Sequence, residues 1–438
     1  MTGSENAGAV ETGGEAEVTQ PNPSPVAAAP VAAKDRIETL DFLRGIAVMG
    51  ILVANIVAFG QPFSAYMYPT SWMGESGDPS GWLWIAQFVL IDGKMRAIFT
   101  LLFGAGMYLF MERAWARGQT RWLQAWRLAT LLVIGLFHFF FLWQGDILAL
   151  YGMCGLLALT MIGLSVKRQM GIGVTGYVFG AVMLLAVMGP LSYVADAPPS
   201  DEPGMAEFQK GLEEAKTEVL KKEAVVVELK REGSYPELVA HRLKENTFDP
   251  FLNAWLFVFE CVPLMLIGMA LYRMGFFSGG VERGVLIKWG WIGVITGSLA
   301  SLGLGLWTQA GGFTYYGTLA TFIGWAPIPR IAAGIGMVAL LVAYSPGWTG
   351  WLAARVRAAG RAAFTNYLGT SVVMLFVMHH WALGLFGELS RPQLYLVTFL
   401  TCGFMLLWSK PWLDRFRYGP LEWLWRCLTY RKLFPIKR

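Results

Sequence analysis

The sequence predicts an all-α, polytopic membrane protein of about ten transmembrane helices, on three observations. Of the 438 residues, 55% are apolar and only 15% charged, with a mean hydropathy of +0.47; soluble chains carry about 25% charged residues. Many apolar runs reach the roughly 20 residues that cross about 30 Å of hydrocarbon. Lysine and arginine gather in alternate short loops, as orientation across a bilayer requires. The net charge of +5 reflects those loops, so it argues for topology and excludes nucleic acid as the partner. Cys154, Cys261, Cys402 and Cys427 lie in or beside apolar runs without zinc or disulfide spacing. They read as small buried side chains, and no metal is expected.

Taken in order, residues 1–35 are rich in Ala, Gly, Pro and Glu and lack an apolar run. They cannot bury enough surface to fold, and are expected to be a disordered cytoplasmic tail. The first apolar stretch begins too late and runs too long for a signal peptide. Residues 36–194 form an N-terminal bundle whose first span is about 40–59. Asp41 and Arg44, at i and i+3, share a helix face there, either as an anchoring ion pair or as part of a site. Asn55 lies eleven residues past Arg44, and eleven steps of about 100° return to the same stripe. The loop 60–80 lacks Lys and Arg, so it is expected outside.

Residues 81–91 are apolar but too short to span. They suit a re-entrant or interfacial helix ending in the polar turn Asp92-Gly93-Lys94-Met95-Arg96, rather than a full crossing. Spans follow at about 97–111, 124–143, 147–165 and 171–194. The third and fourth flank Gln144-Gly145-Asp146, with His138 about 8 Å below that turn at 1.5 Å per residue. Ionisable groups at membrane depth are functional candidates by default. Residues 195–249 are charged and helical in pattern, an extracytoplasmic insert that either caps a pocket or decorates the surface. A C-terminal bundle, 250–409, has spans at about 251–272 (with Glu260), 289–307, 331–344, 365–380 (with Asn366, His379 and His380) and 394–408. The basic, tryptophan-rich tail 410–438 is expected along the cytoplasmic surface. The protein is thus expected to span a membrane with both termini cytoplasmic. A homodimer and a monomer are both open.

Five blocks in order, LDFLRGIAVMGILVANI, KMRAIFTLLFGAG, GLFHFFFLWQGDILALYG, GRAAFTNYL and YGPLEWLWRCLTY, resemble those of the YeiB-like bacterial inner-membrane proteins, from about Arg36 to Lys432. That family resembles the transmembrane acyltransferases, which include the heparan-alpha-glucosaminide acetyltransferases and the sugar O-acyltransferases. The resemblance implies acyl transfer from cytoplasmic acyl-CoA to an extracytoplasmic acceptor (a glycan, lipid or peptide) using an essential histidine. The shared feature is chiefly Asp41-Phe42-Leu43-Arg44-Gly45. The sugar O-acyltransferases place their histidine near the end of the first span, where this chain has Asn55, so only His138 offers itself within a block.

Acyl transfer needs a base, an oxyanion donor and a grip on the carrier's phosphates. His138 is the candidate base and Asp146 its orienting carboxylate; the alternatives are a packing hydrogen bond and a helix N-cap. Asp92, Lys94, Arg96, Glu260 and Asn55 are candidates for the acceptor side. Asp41, Arg44, Arg361 and Asn366 are candidates for acyl-CoA on the cytoplasmic side. Two other functions compete. One is a transporter using Glu260, Asp146 and His138 as a proton relay. The other is a non-catalytic partner protein docking through the insert.

Overall fold

A computed structural model describes residues 37–72 and 80–438. The expected tail 1–35 and part of the loop 60–80 lie outside the described residues. The helices run in order α1 (Glu38–Gly60), α2 (Ser80–Leu90), α3 (Lys94–Trp115), α4 (Arg121–Phe137), α5 (Leu148–Thr160) and α6 (Val166–Ala195). The insert is a helical hairpin, α7 (Pro203–Arg231) and α8 (Tyr235–Glu245). Then come α9 (Asp249–Arg273), α10 (Arg283–Ala310), α11 (Tyr315–Leu319), α12 (Pro327–Tyr344), α13 (Trp351–Arg361), α14 (Ala363–Met378), α15 (Arg391–Arg415) and α16 (Pro420–Tyr430). No β-strand occurs among the described residues.

Seven helices among the described residues are long and apolar enough to cross a membrane: α1, α4 with the turn that continues it to Leu142, α6, α9, α10, α12 with its following turn, and α15. The protein is therefore an all-α membrane protein. α5 and α14 are apolar but shorter. α3, which carries Lys94, Arg96, Glu112 and Arg113 at its ends, is not among the seven.

α1 is the hub. Its apolar window is 72% buried, against 17% for α6, so α1 is core while α6 offers most of its surface to lipid. The contact of α1 with α13 depends on two glycines: a side chain on Gly45 or Gly360 would strike the backbone of the facing helix. α3 packs on α9, α4 on α5, and α10 on α12.

Two regions differ from the sequence expectation. The span expected at 147–165 is helical only over Leu148–Thr160, because residues 161–164 turn and Ser165 caps the start of α6. Residues 351–361, which the sequence left without an element, form α13, an amphipathic helix with Ala353, Val356, Ala359 and Gly360 buried. The helical hairpin α7–α8 lies at one end of the bundle, and the C-terminal end of α3 and helix α16 at the other, here termed the insert side and the tail side.

Candidate active site

α4 runs 17 residues from Arg121 and then widens into one π-turn, His138–Leu142. The Trp143 amide closes it by donating to the His138 carbonyl at 2.8 Å. Such turns are rare and recur at functional sites. This one carries the imidazole into the bundle, where His138 is fully buried. The carbonyls of Phe140 and Phe141 are left without helical partners, and the insert supplies donors. The Tyr235 hydroxyl reaches Phe141 at 2.7 Å, and Arg242 reaches Phe140 at 3.5 Å. The hairpin α7–α8 is thus seated on the turn that bears the histidine.

Both imidazole nitrogens are engaged. Nδ1 lies 2.7 Å from Asp146 Oδ1, and Nε2 lies 2.8 Å from the hydroxyl of Ser371 on α14. A carboxylate only accepts, so Nδ1 donates to Asp146; in the neutral imidazole Nε2 is then the acceptor for the Ser371 hydroxyl. The second carboxylate oxygen accepts the Ala149 amide at 2.6 Å, so Asp146 also caps α5. Tyr367, one turn before Ser371, accepts the Ile147 amide at 3.2 Å and leans its ring on His138, centroids 5.3 Å apart. A hydrogen-bonded chain Ser371–His138–Asp146 results, the side-chain types and connectivity of a nucleophile–base–carboxylate relay. Its end at Ser371 opens into a slot lined by Asn55, Phe59, Trp143, Tyr367 and Thr370, about 10 Å³ in volume, enough for one water.

Cavities approach the relay from both ends of the bundle. On the tail side, a basin of about 310 Å³ is lined by Arg44, Arg113, Arg117, Arg127, Arg361, Arg417 and Arg426, with Asp41 and Glu422. It shares Arg44, Gly106, Arg127, Arg361 and Glu422 with a cavity of about 240 Å³ that turns apolar at Phe99, Leu102, Phe103 and Leu131 and reaches Leu148, Tyr151 and Tyr367. On the insert side, a cavity of about 220 Å³ is lined by Asn55, Arg96, Trp143 and Asp146. Tyr367 borders the slot from below, and Asn55 and Trp143 border it from above.

The chain is 30% identical to the protein YeiB of Escherichia coli (strain K12) over 414 residues, covering 92% of this chain and 98% of YeiB. The chain belongs to the YeiB family. YxaH of Bacillus subtilis (strain 168) is 27% identical over 430 residues, 93% of this chain and 98% of that one. Residues 271–432 match the family described as "Protein of unknown function (DUF418)". No solved structure matches the chain. The matched segment holds Tyr367 and Ser371, whereas His138 and Asp146 lie before it. The site of this family member is therefore assembled from both bundles.

The remaining candidates separate into groups. Arg96 grips Glu260 through two hydrogen bonds of 3.0 and 2.9 Å and stacks on Phe257, so of this pair Arg96 lines the insert-side cavity. Asp92 and Lys94 are buried behind the cavity wall. Asp92 accepts from Gln87 at 2.9 Å and Tyr66 at 3.2 Å, and Lys94 donates to the Phe88 carbonyl at 2.9 Å. Neither borders the cavities described. Asp41 accepts from Arg44 at 3.3 Å, and both border the tail-side basin. Asn366 is committed to packing: its amide donates to Ala359 and Ser409, and its oxygen accepts from Trp408. Of the two histidines after α14, His379 is buried and His380 exposed. Sequence reasoning missed Ser371 and Tyr367. The available signal was the polar run Thr365, Asn366, Thr370 and Ser371 in an apolar helix, since hydroxyls at that depth need a partner.

Proposed function

We propose that the protein is an integral-membrane acyltransferase that takes an acyl group from cytoplasmic acyl-CoA and delivers it to an extracytoplasmic acceptor. The observation that carries this reading is the relay Ser371–His138–Asp146 held between an arginine-rich basin on one side and a separate cavity on the other. In this reading the tail side is cytoplasmic, in a bacterial inner membrane. α3, α5 and α14 complete about ten spans, as the basic loops favour. Arg44 and Arg361, with the other basin arginines, would hold the phosphates of the carrier, and the apolar cavity beyond would take its pantetheine arm.

His138 is fully buried and borders no described cavity, while Ser371 faces the slot. The reacting atom is therefore the Ser371 oxygen. It attacks the thioester carbonyl as its proton passes to His138 Nε2. The C–S bond breaks, and the thiolate leaves with that proton, giving an acyl ester on Ser371. An acceptor hydroxyl from the insert-side cavity then gives its proton to Nε2 and takes the acyl group. Ser371 recovers a proton from Nε2. Asp146 keeps the imidazole in the required tautomer and stabilises its cation. Asn55 and the Tyr367 hydroxyl are the donors positioned to meet the oxyanion.

The test is to incubate purified protein with acetyl-CoA labelled in the acetyl group. Label should become covalently attached to the peptide bearing Ser371, and be lost in Ser371→Ala and His138→Ala variants that still fold. Absence of both acyl-CoA binding and labelling would end the reading. Cavities on two sides of a buried histidine also suit a transporter, but Glu260, one member of the relay such a protein would use, is locked to Arg96. Proton-coupled uptake in liposomes that survives Ser371→Ala would favour transport instead.

A further inference from the structure

The roof of the insert side encloses a second chamber of about 650 Å³, between α7, α8 and the segment 62–68. Most of its wall is apolar, with Phe63, Met67, Val219, Val226, Leu319 and Phe386. Lys230 also lines it, although that residue is only 3% exposed. Its ammonium sits 4.5 Å from the centre of the Phe386 ring. Among the described residues it has no hydrogen-bond acceptor and no ion pair.

The surroundings make this lysine costlier still. Arg242, 1% exposed, is close enough to repel it, and the Arg242 Nε has no partner. The buried His379 leaves its Nε2 without a partner in the same neighbourhood. Glu223 is the one acid that favours the ammonium, and its carboxylate already accepts the Ser64 amide at 2.7 Å. Lys222 and Glu245, also in the wall, are engaged with Glu218 and Lys244. Buried like charges are expensive and Glu223 is their one nearby counter-charge, so an anion entering the chamber would relieve that cost.

We infer that this chamber binds an oxyanion group, a phosphate or phosphodiester, with Lys230 as its principal contact and the apolar wall receiving the rest of an amphipathic molecule. The chamber shares Phe63, Met67 and Gln144 with the cavity that reaches Asp146. On the acyl-transfer reading the ligand would be the acceptor or its anchor; the binding itself does not depend on that reading.

The test uses the full chain in neutral detergent and three probes: inorganic phosphate, dihexanoyl phosphatidylglycerol and its phosphatidylcholine counterpart. The phosphatidylglycerol is expected to bind at least ten-fold tighter than the choline lipid. Lys230→Gln should weaken it ten-fold or more, Lys230→Arg should retain it, and Lys210→Gln, on the exposed face of α7 outside the chamber, should change it less than two-fold. Binding of phosphate alone would assign a free anion, and binding of the lipid alone a headgroup. If neither binds above the choline control, or if Lys230→Gln binds like wild type, the site is refuted. Should Lys230→Gln fail to fold, amine labelling of wild type read by mass spectrometry decides. The anion should protect Lys230 several-fold and leave the exposed Lys210 unchanged; Lys230 labelling equal with and without the anion overturns the proposal. None of these measurements uses acyl-CoA, so failure here is separate from failure to label Ser371.

Discussion

Asp146→Asn separates the two jobs that the carboxylate performs. One oxygen orients His138 at 2.7 Å and the other caps α5 through the Ala149 amide at 2.6 Å. Asparagine caps helices as well as aspartate does, so its oxygen is expected to stay on Ala149. The amide NH₂ then faces His138 Nδ1 and forces the proton onto Nε2. The imidazole would donate to Ser371 and could no longer take its proton. In soluble Ser–His–Asp enzymes that tautomer error costs about 10⁴ in turnover, or about 5 kcal/mol of transition-state stabilisation. The structural cost is smaller. A hydrogen bond to a charged group contributes about 1.5–3 kcal/mol and a neutral one about 1, while interhelical bonds in membranes average about 0.6. A loss of about 1–2 kcal/mol is expected, a melting shift of a few degrees. The assay is the initial rate of Ser371 labelling from acetyl-CoA, beside a thermal melt of the same preparation. A labelling rate within ten-fold of wild type would show that Asp146 is a cap and nothing more, and the relay would be refuted.

Three further outcomes are expected. Arg44→Gln and Arg361→Gln remove cations from the tail-side basin and should each weaken acetyl-CoA about ten-fold, on the scale of one charged hydrogen bond. A pantetheine thioester without phosphates should be unaffected, which equilibrium binding with both compounds checks. Trp143 stacks on Phe59 at 4.0 Å and walls the slot from the insert-side cavity. Trp143→Ala should lower the melting temperature by the equivalent of about 3–5 kcal/mol and admit water, raising free acetate relative to transferred acetyl. Lys230 is pushed down to about 7, first by burial and then by Arg242, with Glu223 opposing. Its cationic form therefore dominates below pH 7, and phosphatidylglycerol affinity should fall about ten-fold from pH 6 to 8. The groups facing it are Glu223 and Lys222 on α7, Arg242, His241 and Glu245 on α8, and His379 beyond α14. A flat profile, or one that Lys230→Arg leaves unaltered, would contradict this assignment.

Much of the fold could be read from the sequence because lipid imposes a single length scale. Runs such as 40–59 and 251–272 match α1 and α9 within a few residues, since a helix satisfies its own backbone wherever water is missing. The pairing of residues 138 and 146 was legible for a local reason: eight residues across a tight turn cannot separate far. Ser371 was not, because it lies 233 residues from His138 and its partner is chosen by how α14 packs, which no local pattern encodes. α13 was hidden by its arginines, Arg355, Arg357 and Arg361, which read as a loop. In the structure Arg355 donates to the carbonyls of Leu406 and Leu407, and Arg357 to those of Ser345 and Trp348. Asp92 and Lys94 misled in the opposite direction. Their charge suggested a pocket, yet inside the wall Gln87 and Tyr66 both donate to Asp92 Oδ1, leaving Oδ2 without a hydrogen-bond partner, and Lys94 donates to the Phe88 carbonyl.

Two of the three relay members, Asp146 and Ser371, sit at or on short helices. α5 has 13 residues and α14 has 16, about 20 and 24 Å of helix, against about 30 Å of hydrocarbon. A span that falls short must end inside the apolar slab, and its last polar groups end there with it. For α5 that end is the turn Trp143–Ile147 with Asp146. Irregular backbone at such depth survives only when buried in protein or lining a wet cavity. Here both conditions hold: Asp146 and Tyr367 satisfy the amides of Ala149 and Ile147, Tyr235 and Arg242 of the insert cover the carbonyls of the π-turn, and the cavity opens beside Asp146. The insert is therefore more than decoration. Deleting the hairpin α7–α8 would expose two unpaired carbonyls above His138, and the expected result is loss of the relay geometry, read as loss of Ser371 labelling in a chain that still inserts. Labelling at the wild-type rate after that deletion would show that the short helices hold the site by themselves.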